Sequence, residues 1–375
     1  MNNDQHLNVL ITGADGFIGK NLVIRANELH NVNVLLFTRK NDIQKLKNLV
    51  KKSDVIIHLA GVNRSIDLEV FEKDNTTLSH KICELIKLSG KKIPLFFSSS
   101  SQADEDNPYG KSKLAAEHYL TRFSVETKNP VTICRLPGVF GKWSKPNYNS
   151  VVATFCYNVA NDLPIKVHDK SSILELAYID DVIDDFLKII FHFPEKITWL
   201  ELNKTYQTTV GEVSEQIISF KSNRDNLISD RVGVGLTRAL YSTYISFLPP
   251  EQFTYDLPMY QDERGIFCEV LKTFDSGQFS FFTVNPGVTR GSHYHHTKTE
   301  KFVILKGVAK MRFKEIISQD TYELIVSDKK PQVVDTVPGW VHDITNISES
   351  ELIVMIWANE VFNVNKPDTI KGEVL

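Results

Sequence analysis

Ser98-Ser-Ser-Ser-Gln-Ala-Asp-Glu-Asp-Asn-Pro-Tyr-Gly-Lys-Ser-Lys113 is the stretch from which the rest of the chain can be read. It begins as the polar end of an apolar run, Ile93-Pro-Leu-Phe-Phe97, which predicts a buried strand. It ends with Tyr109 and Lys113, four residues apart at the start of a helical pattern. That spacing is about one turn, so the phenol and the ammonium share a face. A serine, a tyrosine and a lysine grouped in this way can protonate a carbonyl oxygen while a hydride arrives at its carbon.

A hydride needs a carrier, and the N-terminus has a place for one. Leu7-Asn-Val-Leu-Ile-Thr12 predicts a strand that runs into Gly13-Ala-Asp-Gly16-Phe-Ile-Gly19 and then a helical pattern. Glycines spaced this way let the backbone approach a pyrophosphate over the free N–H groups of a helix N-terminus. Apolar runs continue at Asn33–Thr38, Asp54–Gly61, Ile93–Ser98 and Val131–Arg135, with helix-like segments between them. Strands alternating with helices predict a parallel sheet covered on both faces. The second strand ends in Arg39-Lys40, where a cation suits a ribose 2′-phosphate, so NADPH is expected over NADH.

These landmarks, together with Tyr178-Ile-Asp-Asp-Val182, resemble the extended short-chain dehydrogenase/reductases over roughly residues 7 to 215. The resemblance implies a Rossmann-type, doubly wound α/β fold acting on nucleotide-activated sugars. It implies cofactor contacts from Gly13, Asp15, Gly16, Phe17, Ile18, Gly19, Arg39, Leu59, Ala60, Gly61 and Lys113. Tyr109 becomes the proton donor, and Lys113 lowers the phenol's pKa and holds the nicotinamide ribose. A tyrosine otherwise titrates near ~10, and an adjacent ammonium favours the phenolate. Ser100 is taken as the hydroxyl that bonds the carbonyl. The link from Ser100 to Tyr109 is shorter than the family usually has, so Ser99 and Ser101 stay open. Substrate contacts are expected from Asn63 and Arg64 after the third strand. Further contacts are expected from Lys142-Trp-Ser-Lys-Pro-Asn-Tyr-Asn149 after the fifth strand, with a helix opening at Ser150.

A proline pair, Pro249-Pro250, closes the looser segment that follows, and the domain boundary is placed at Phe247: residues 1–247, then 248–375. Short strand-like runs fill 264–357 and predict an all-β sandwich or small barrel. Within it lies Gly287-Val-Thr-Arg-Gly-Ser-His293-Tyr-His295-His-Thr-Lys-Thr-Glu300. On a strand His293 and His295 point to one face. With Glu300 and His342 they offer three nitrogens and one oxygen, which suits Zn²⁺ and also Fe, Ni or Mn. The spacing resembles the cupins, whose jelly-roll barrel is therefore expected. Asp262-Glu-Arg-Gly-Ile-Phe and Arg290-Gly-Ser-His293-Tyr resemble 4-keto-6-deoxy-sugar epimerases, some with a metal-free cupin and a histidine base. His296 and Lys298 are possible proton-transfer partners, and the base itself stays open.

A ketone joins the two halves, because it is what a reductase consumes and it acidifies the neighbouring C–H. The chain as a whole resembles bifunctional capsular-polysaccharide enzymes in which such a reductase is fused to a cupin. That resemblance implies C3 epimerisation of a UDP-4-keto-6-deoxy-HexNAc, then NADPH reduction at C4. The implied product is UDP-2-acetamido-2,6-dideoxy-L-talose, a precursor of UDP-N-acetyl-L-fucosamine for capsule or O-antigen. It also implies a zinc-binding cupin and a homodimer. The rival reading is a plain reductase with a non-catalytic, metal-binding dimerisation cupin.

Composition narrows the partners. The net charge of −3 without a basic run argues against nucleic acid, and no apolar stretch is long enough to cross a membrane. Four scattered cysteines without a Cys-x-x-Cys and a start lacking a signal pattern lead to the expectation of a cytoplasmic protein with free thiols.

Overall fold

The computed structural model describes residues 6–374, apart from 66, 68, 258, 263–264, 269–270, 274–276 and 361–364. The Asp262–Phe267 motif and Cys268 lie outside the residues whose side chains are described. Two compact units emerge: residues 1–139 with 174–207, and residues 140–173 with 208–375.

The first unit carries a six-stranded parallel sheet. Its strands are β1 (Leu7–Thr12), β2 (Val32–Phe37), β3 (Val55–His58), β4 (Leu95–Ser100), β5 (Val131–Leu136) and β6 (Thr198–Trp199). The spatial order is β2-β1-β3-β4-β5-β6, all pairs parallel. Helices α1 (Phe17–Asn27), α2 (Ile43–Lys52), α3 (Leu78–Ser89), α4 (Pro108–Thr127) and α6 (Ile179–Phe191) connect them; α5 belongs to the second unit. Every residue of β3 and β4 is buried, as expected for strands covered on both faces. Leu10, Ile56, Leu95 and Ile133 from the sheet meet Leu46, Ile82 and Leu120 from the helices. The doubly wound fold expected from the alternating runs is present, with strand ends shifted by up to three residues.

The second unit holds α5 (Val151–Ala160), α7 (Val210–Asn226) and α8 (Gly235–Ile245). It also holds two five-stranded antiparallel sheets. The strands are β7 (Thr254–Asp256), β8 (Gln278–Val284), β9 (Thr289–Tyr294), β10 (Glu300–Lys306), β11 (Val308–Glu315), β12 (Thr321–Ser327), β13 (Gln332–Thr336), β14 (Trp340–Asn346), β15 (Leu352–Ala358) and β16 (Ile370–Lys371). One sheet runs β7-β13-β10-β15-β8 and the other β12-β11-β14-β9-β16. β11 alternates buried and half-buried residues along its length, the pattern of a strand with one face inward. This is the all-β region expected after residue 248.

The compact units do not follow the division at Phe247. Arg224 on α7 pairs with Asp335 on β13 at 2.8 Å, and the Ser242 hydroxyl on α8 donates to the Thr297 carbonyl at 2.8 Å. Asn359 reaches the Val232 carbonyl at 3.3 Å. These contacts tie residues 208–247 to the sandwich. A change of sequence pattern locates the first strand of the sandwich, not the helices packed on it. Cys83, Cys134 and Cys156 are buried free thiols, and no helix among the described residues is long and apolar enough to cross a membrane.

Candidate active site and candidate metal centre

The reductase-like site sits where β1, β3 and β4 end. Gly13 has φ +68, and a Cβ there would lie 2.7 Å from the Ala60 amide nitrogen. A Cβ at Gly19 would lie 2.0 Å from the Gly13 carbonyl oxygen. Only glycine permits this close turn onto the end of β3. The N-cap of α1 is Gly16, without a side-chain cap, so the first N–H groups of the helix receive no side-chain partner there. A pyrophosphate fits that cradle. Asp15 is exposed, Phe17 and Ile18 are half-buried on the first turn of α1, and Arg39 is exposed just past β2. Leu59 and Ala60 line the turn, while Gly61, Asn63 and Arg64 are exposed beyond it.

Ser100 ends β4, and the single 3-10 turn Ser101–Asp104 spans much of the short link to α4. Asn107 caps α4 by accepting from the Gly110 N–H at 2.8 Å, with Pro108 as the first helical residue. A Cβ at Gly110 would lie 2.2 Å from the Gln102 carbonyl oxygen, so the helix start presses directly on that turn. The tight link brings the Ser100 hydroxyl close enough to Tyr109 to act on its phenol, while the same oxygen accepts from the Gln102 N–H at 3.2 Å. Ser99 is turned away, its hydroxyl donating to Glu117, and Ser101 is exposed. Of the three serines, Ser100 therefore faces the tyrosine.

The electrostatics of Tyr109 differ from the expectation. Burial raises the phenol's pKa, and the nearby Ser100 hydroxyl offsets this only in part. Lys113 is not among the groups that act on it. The Lys113 ammonium is itself buried and donates to the Ser98 carbonyl at 2.8 Å. Burial pushes it down to about 8, against the pull of Glu117. Helical spacing places both side chains on one face, but the rotamer that reaches β4 was not legible from spacing. A Cβ at Gly61 would come 3.3 Å from the Lys113 nitrogen, so that ammonium borders the cofactor turn.

Three neighbours were missed. His58 bridges Thr12 at 2.7 Å and Ser79 at 2.9 Å, tying β3 to β1 and α3. Burial, then the Lys113 charge, lowers its pKa to about 3, so the bridge is a neutral imidazole. Asn75, in the π-helical turn Glu72–Thr77, clamps both backbone groups of Val62 and reaches Ser112 at 2.9 Å. Glu117 holds Arg135 through two hydrogen bonds, at 2.9 and 2.7 Å, and anchors Ser99. The apolar run around His58 was a visible signal; Asn75 and Glu117 carried none.

In the second unit, Asn149 is exposed on the turn before Ser150, which caps α5. Lys142 is buried, and the Trp143 indole donates to Glu315 at 2.6 Å. The sandwich brings His293, His295, Glu300 and His342 together, with one ligand atom from each within 4.8 Å of the others. His293 and His342 are cross-strand partners on β9 and β14, and Glu300 opens β10. His295 lies just past the end of β9, not on the strand as the alternation implied, and the ladder bulges between Gly291 and His293. The bulge and the turn still aim both rings at one point. His295 Nε2 lies 3.1 Å from Glu300 and His342 Nε2 3.6 Å, too long for a hydrogen bond. His342 Nε2 is a buried atom without a hydrogen-bond partner.

Burial, then its histidine neighbours, lowers the His293 pKa to about 4, and burial lowers that of His342. Burial alone would raise Glu300, but the His295 hydrogen bond and the nearby His342 ring hold it well below the usual carboxylate range. Neutral imidazoles and an ionised carboxylate are the forms that ligate. The donor set and the orphaned nitrogen therefore fit a divalent metal ion. A cavity of about 190 Å³ borders the cluster, lined by His293, Glu300, His342, Arg290, Phe282 and Phe302 among others. His296 and Lys298 are buried and are not among its lining residues; the Lys298 ammonium bonds Glu300 at 3.0 Å.

Residues 9–198 match the NAD dependent epimerase/dehydratase family, and residues 260–370 match the polysaccharide biosynthesis C-terminal domain. The crystal structure of the capsular polysaccharide assembling protein CapF from Staphylococcus aureus is 38% identical, covering 98% of this chain and all of that one, with TM-score 0.67. The chain belongs to the CapF family. A UDP-2-acetamido-2,6-beta-L-arabino-hexul-4-ose reductase from Pseudomonas aeruginosa is 50% identical over 97% of this chain and 98% of its own length. The Bordetella bronchiseptica enzyme WbmF, solved with NADH, is 20% identical over 58% of this chain and 78% of its own, with TM-score 0.51. That similarity concerns the fold of the first part alone. This chain thus joins an epimerase/dehydratase-family region to a polysaccharide-biosynthesis domain, the order expected from the sequence.

Proposed function

We propose that this chain is a bifunctional UDP-4-keto-sugar enzyme: a C3 epimerase in its cupin domain and an NADPH-dependent C4 reductase in its N-terminal domain. The observation that carries the reading is one chain holding both Ser100 and Tyr109 close together near a buried Lys113 and a largely buried three-histidine, one-glutamate cluster. The name of the 50% identical relative, a UDP-2-acetamido-2,6-beta-L-arabino-hexul-4-ose reductase, supports a UDP-4-keto-6-deoxy-HexNAc as substrate; the proposed product is UDP-2-acetamido-2,6-dideoxy-L-talose, on the way to UDP-N-acetyl-L-fucosamine. We keep residues 1–247 and 248–375 as the functional division, in a cytoplasmic homodimer.

The first step removes the proton at C3 and returns one on the opposite face. His293, His295, Glu300 and His342 would hold a divalent ion, Zn²⁺ by its donors, whose charge beside the cavity favours enolate. The second step closes the sequence by removing the ketone. Ser100 orients the C4 oxygen and Tyr109 gives it a proton, while Lys113 supplies positive charge beside the cofactor turn. NADPH, when bound, supplies the hydride.

Incubation of the full chain in D₂O with the keto sugar and no NADPH is expected to place deuterium at C3. Glu300→Gln is expected to slow that exchange about 100-fold or more and to leave reduction of an already epimerised ketone intact. NADPH oxidation by the wild type without any exchange would favour a reductase with a non-catalytic cupin. For the cofactor, Arg39→Ala is expected to lower kcat/KM for NADPH about 10- to 100-fold, the value of one charge-assisted bond to phosphate, and to leave NADH unaffected. Equal wild-type rates with both cofactors would remove the role of Arg39.

A further inference from the structure

Near its C-terminal end the chain returns to the turn that carries His295. Tyr294 and His293 on β9 pair with Ile370 and Lys371 of β16, and the Gly372 N–H donates to the Ser292 carbonyl at 3.0 Å. A Cβ at Gly372 would lie 2.7 Å from Val341, next to His342. The returning segment is therefore pressed against both strands that carry the donor histidines.

Asp368 is the residue by which it grips the turn. Its Oδ1 accepts from the His296 N–H at 2.9 Å. Its Oδ2 accepts from the N–H groups of Thr297 at 2.6 Å and Lys298 at 2.7 Å, and from the Thr297 hydroxyl at 2.9 Å. One carboxylate thus gathers three successive N–H groups of the turn between His295 and Glu300, a concavity built for an anion. The backbone carbonyl of the same residue accepts from His295 Nδ1. A carbonyl can only accept, so Nδ1 carries a proton, and in the neutral, ligating form of the ring Nε2 is the nitrogen with the lone pair. Nε2 is the atom that faces Glu300, 3.1 Å away. Side chain and backbone of one residue therefore fix the turn and the tautomer together.

We infer that Asp368 is a positioning residue of the metal centre, holding the His295–Lys298 turn so that His295 Nε2 is presented as a ligand. This rests on the reading of His293, His295, Glu300 and His342 as a metal centre. It touches no reacting atom and acts through His295. Partners of this kind set ring orientation and basicity, and their loss weakens metal binding about 10- to 100-fold.

The test uses full-length protein without a histidine tag, as wild type, Asp368→Ala and Asp368→Asn. Zinc content is measured first, then the rate of zinc release to a chromogenic chelator, then the visible spectrum after Co²⁺ replacement. Wild type is expected to hold about one zinc per chain. Asp368→Ala is expected to release it about 10- to 100-fold faster and to show an altered cobalt band. Asp368→Asn should fall between the two, because one oxygen can keep the Thr297 and Lys298 bonds while its NH₂ opposes the His296 N–H. Should the alanine variant not fold, the asparagine variant alone decides. Wild-type release rates and an unchanged cobalt band in the variants, with zinc in the wild type, would overturn the role of Asp368. A wild type without zinc would overturn the metal reading, and this role with it.

Discussion

Tyr109→Phe is expected to lower the NADPH-dependent reduction of the keto sugar by about 10²- to 10⁴-fold, the usual share of a positioned proton donor. The ring stays and only the hydroxyl is lost, so the half-buried packing against Phe71 is kept. The phenol is protonated at neutral pH, as a tyrosine titrating near ~10 already is, and burial raises its pKa further; that is the form a donor needs. Lys113 sets the alkaline limit. Its pKa is depressed to about 8 by burial, so the ammonium is present below that pH and lost above it. The wild-type kcat/KM is therefore expected to fall as pH rises through about 8, well before the phenol ionises. C3 deuterium exchange should survive in Tyr109→Phe, since it depends on the second unit. Stopped assays over pH 6 to 10 check both points, and a phenylalanine variant that kept the reductase rate would end the assignment.

Asp335→Ala is expected to destabilise the second unit by about 3–5 kcal/mol, because it leaves two buried cations without their partner. Asp335 binds Arg224 at 2.8 Å and Lys301 at 2.6 Å, and all three side chains are largely buried. Burial alone would lower both cation pKa values; Asp335 outweighs it and holds them raised. Arg224 also lies over the Tyr255 ring at 4.5 Å, and Lys301 lies over the same ring at 5.3 Å. The cluster joins α7, β7, β10 and β13, so its loss loosens the helices from the sandwich as well as the sheet from itself. Urea unfolding followed by tryptophan fluorescence measures the change. A loss below about 1 kcal/mol would show that water or a nearby group satisfies both cations. Lys301→Met should cost less, since Arg224 would still neutralise the carboxylate.

The reductase half was legible because its chemistry depends on local spacing. Gly13, Gly16 and Gly19 lie in one turn, and Tyr109 and Lys113 lie one helical turn apart. The donor set of the cupin was legible for the same reason, with His293, His295 and Glu300 within eight residues. His342 could be added because a Pro-Gly turn precedes it. Three features were out of reach. Setting Ser99 aside in favour of Ser100 depended on Glu117, itself held by Arg135, claiming the Ser99 hydroxyl. The direction of the Lys113 ammonium depended on the Ser98 carbonyl at the end of β4. The placement of His296 and Lys298 off the cavity wall depended on the turn held by Asp368.

The sequence by itself determined the two fold types, their order, and which residues are candidates to bear the chemistry, because period, turn glycines and short motifs act over a few residues. The tertiary structure alone decided which serine meets Tyr109, where the Lys113 charge points, and that residues 208–247 pack with the sandwich. It also brought Asp368 back to His295 from far along the chain. Those outcomes follow from burial and hydrogen bonding between segments remote in sequence, which no local pattern records.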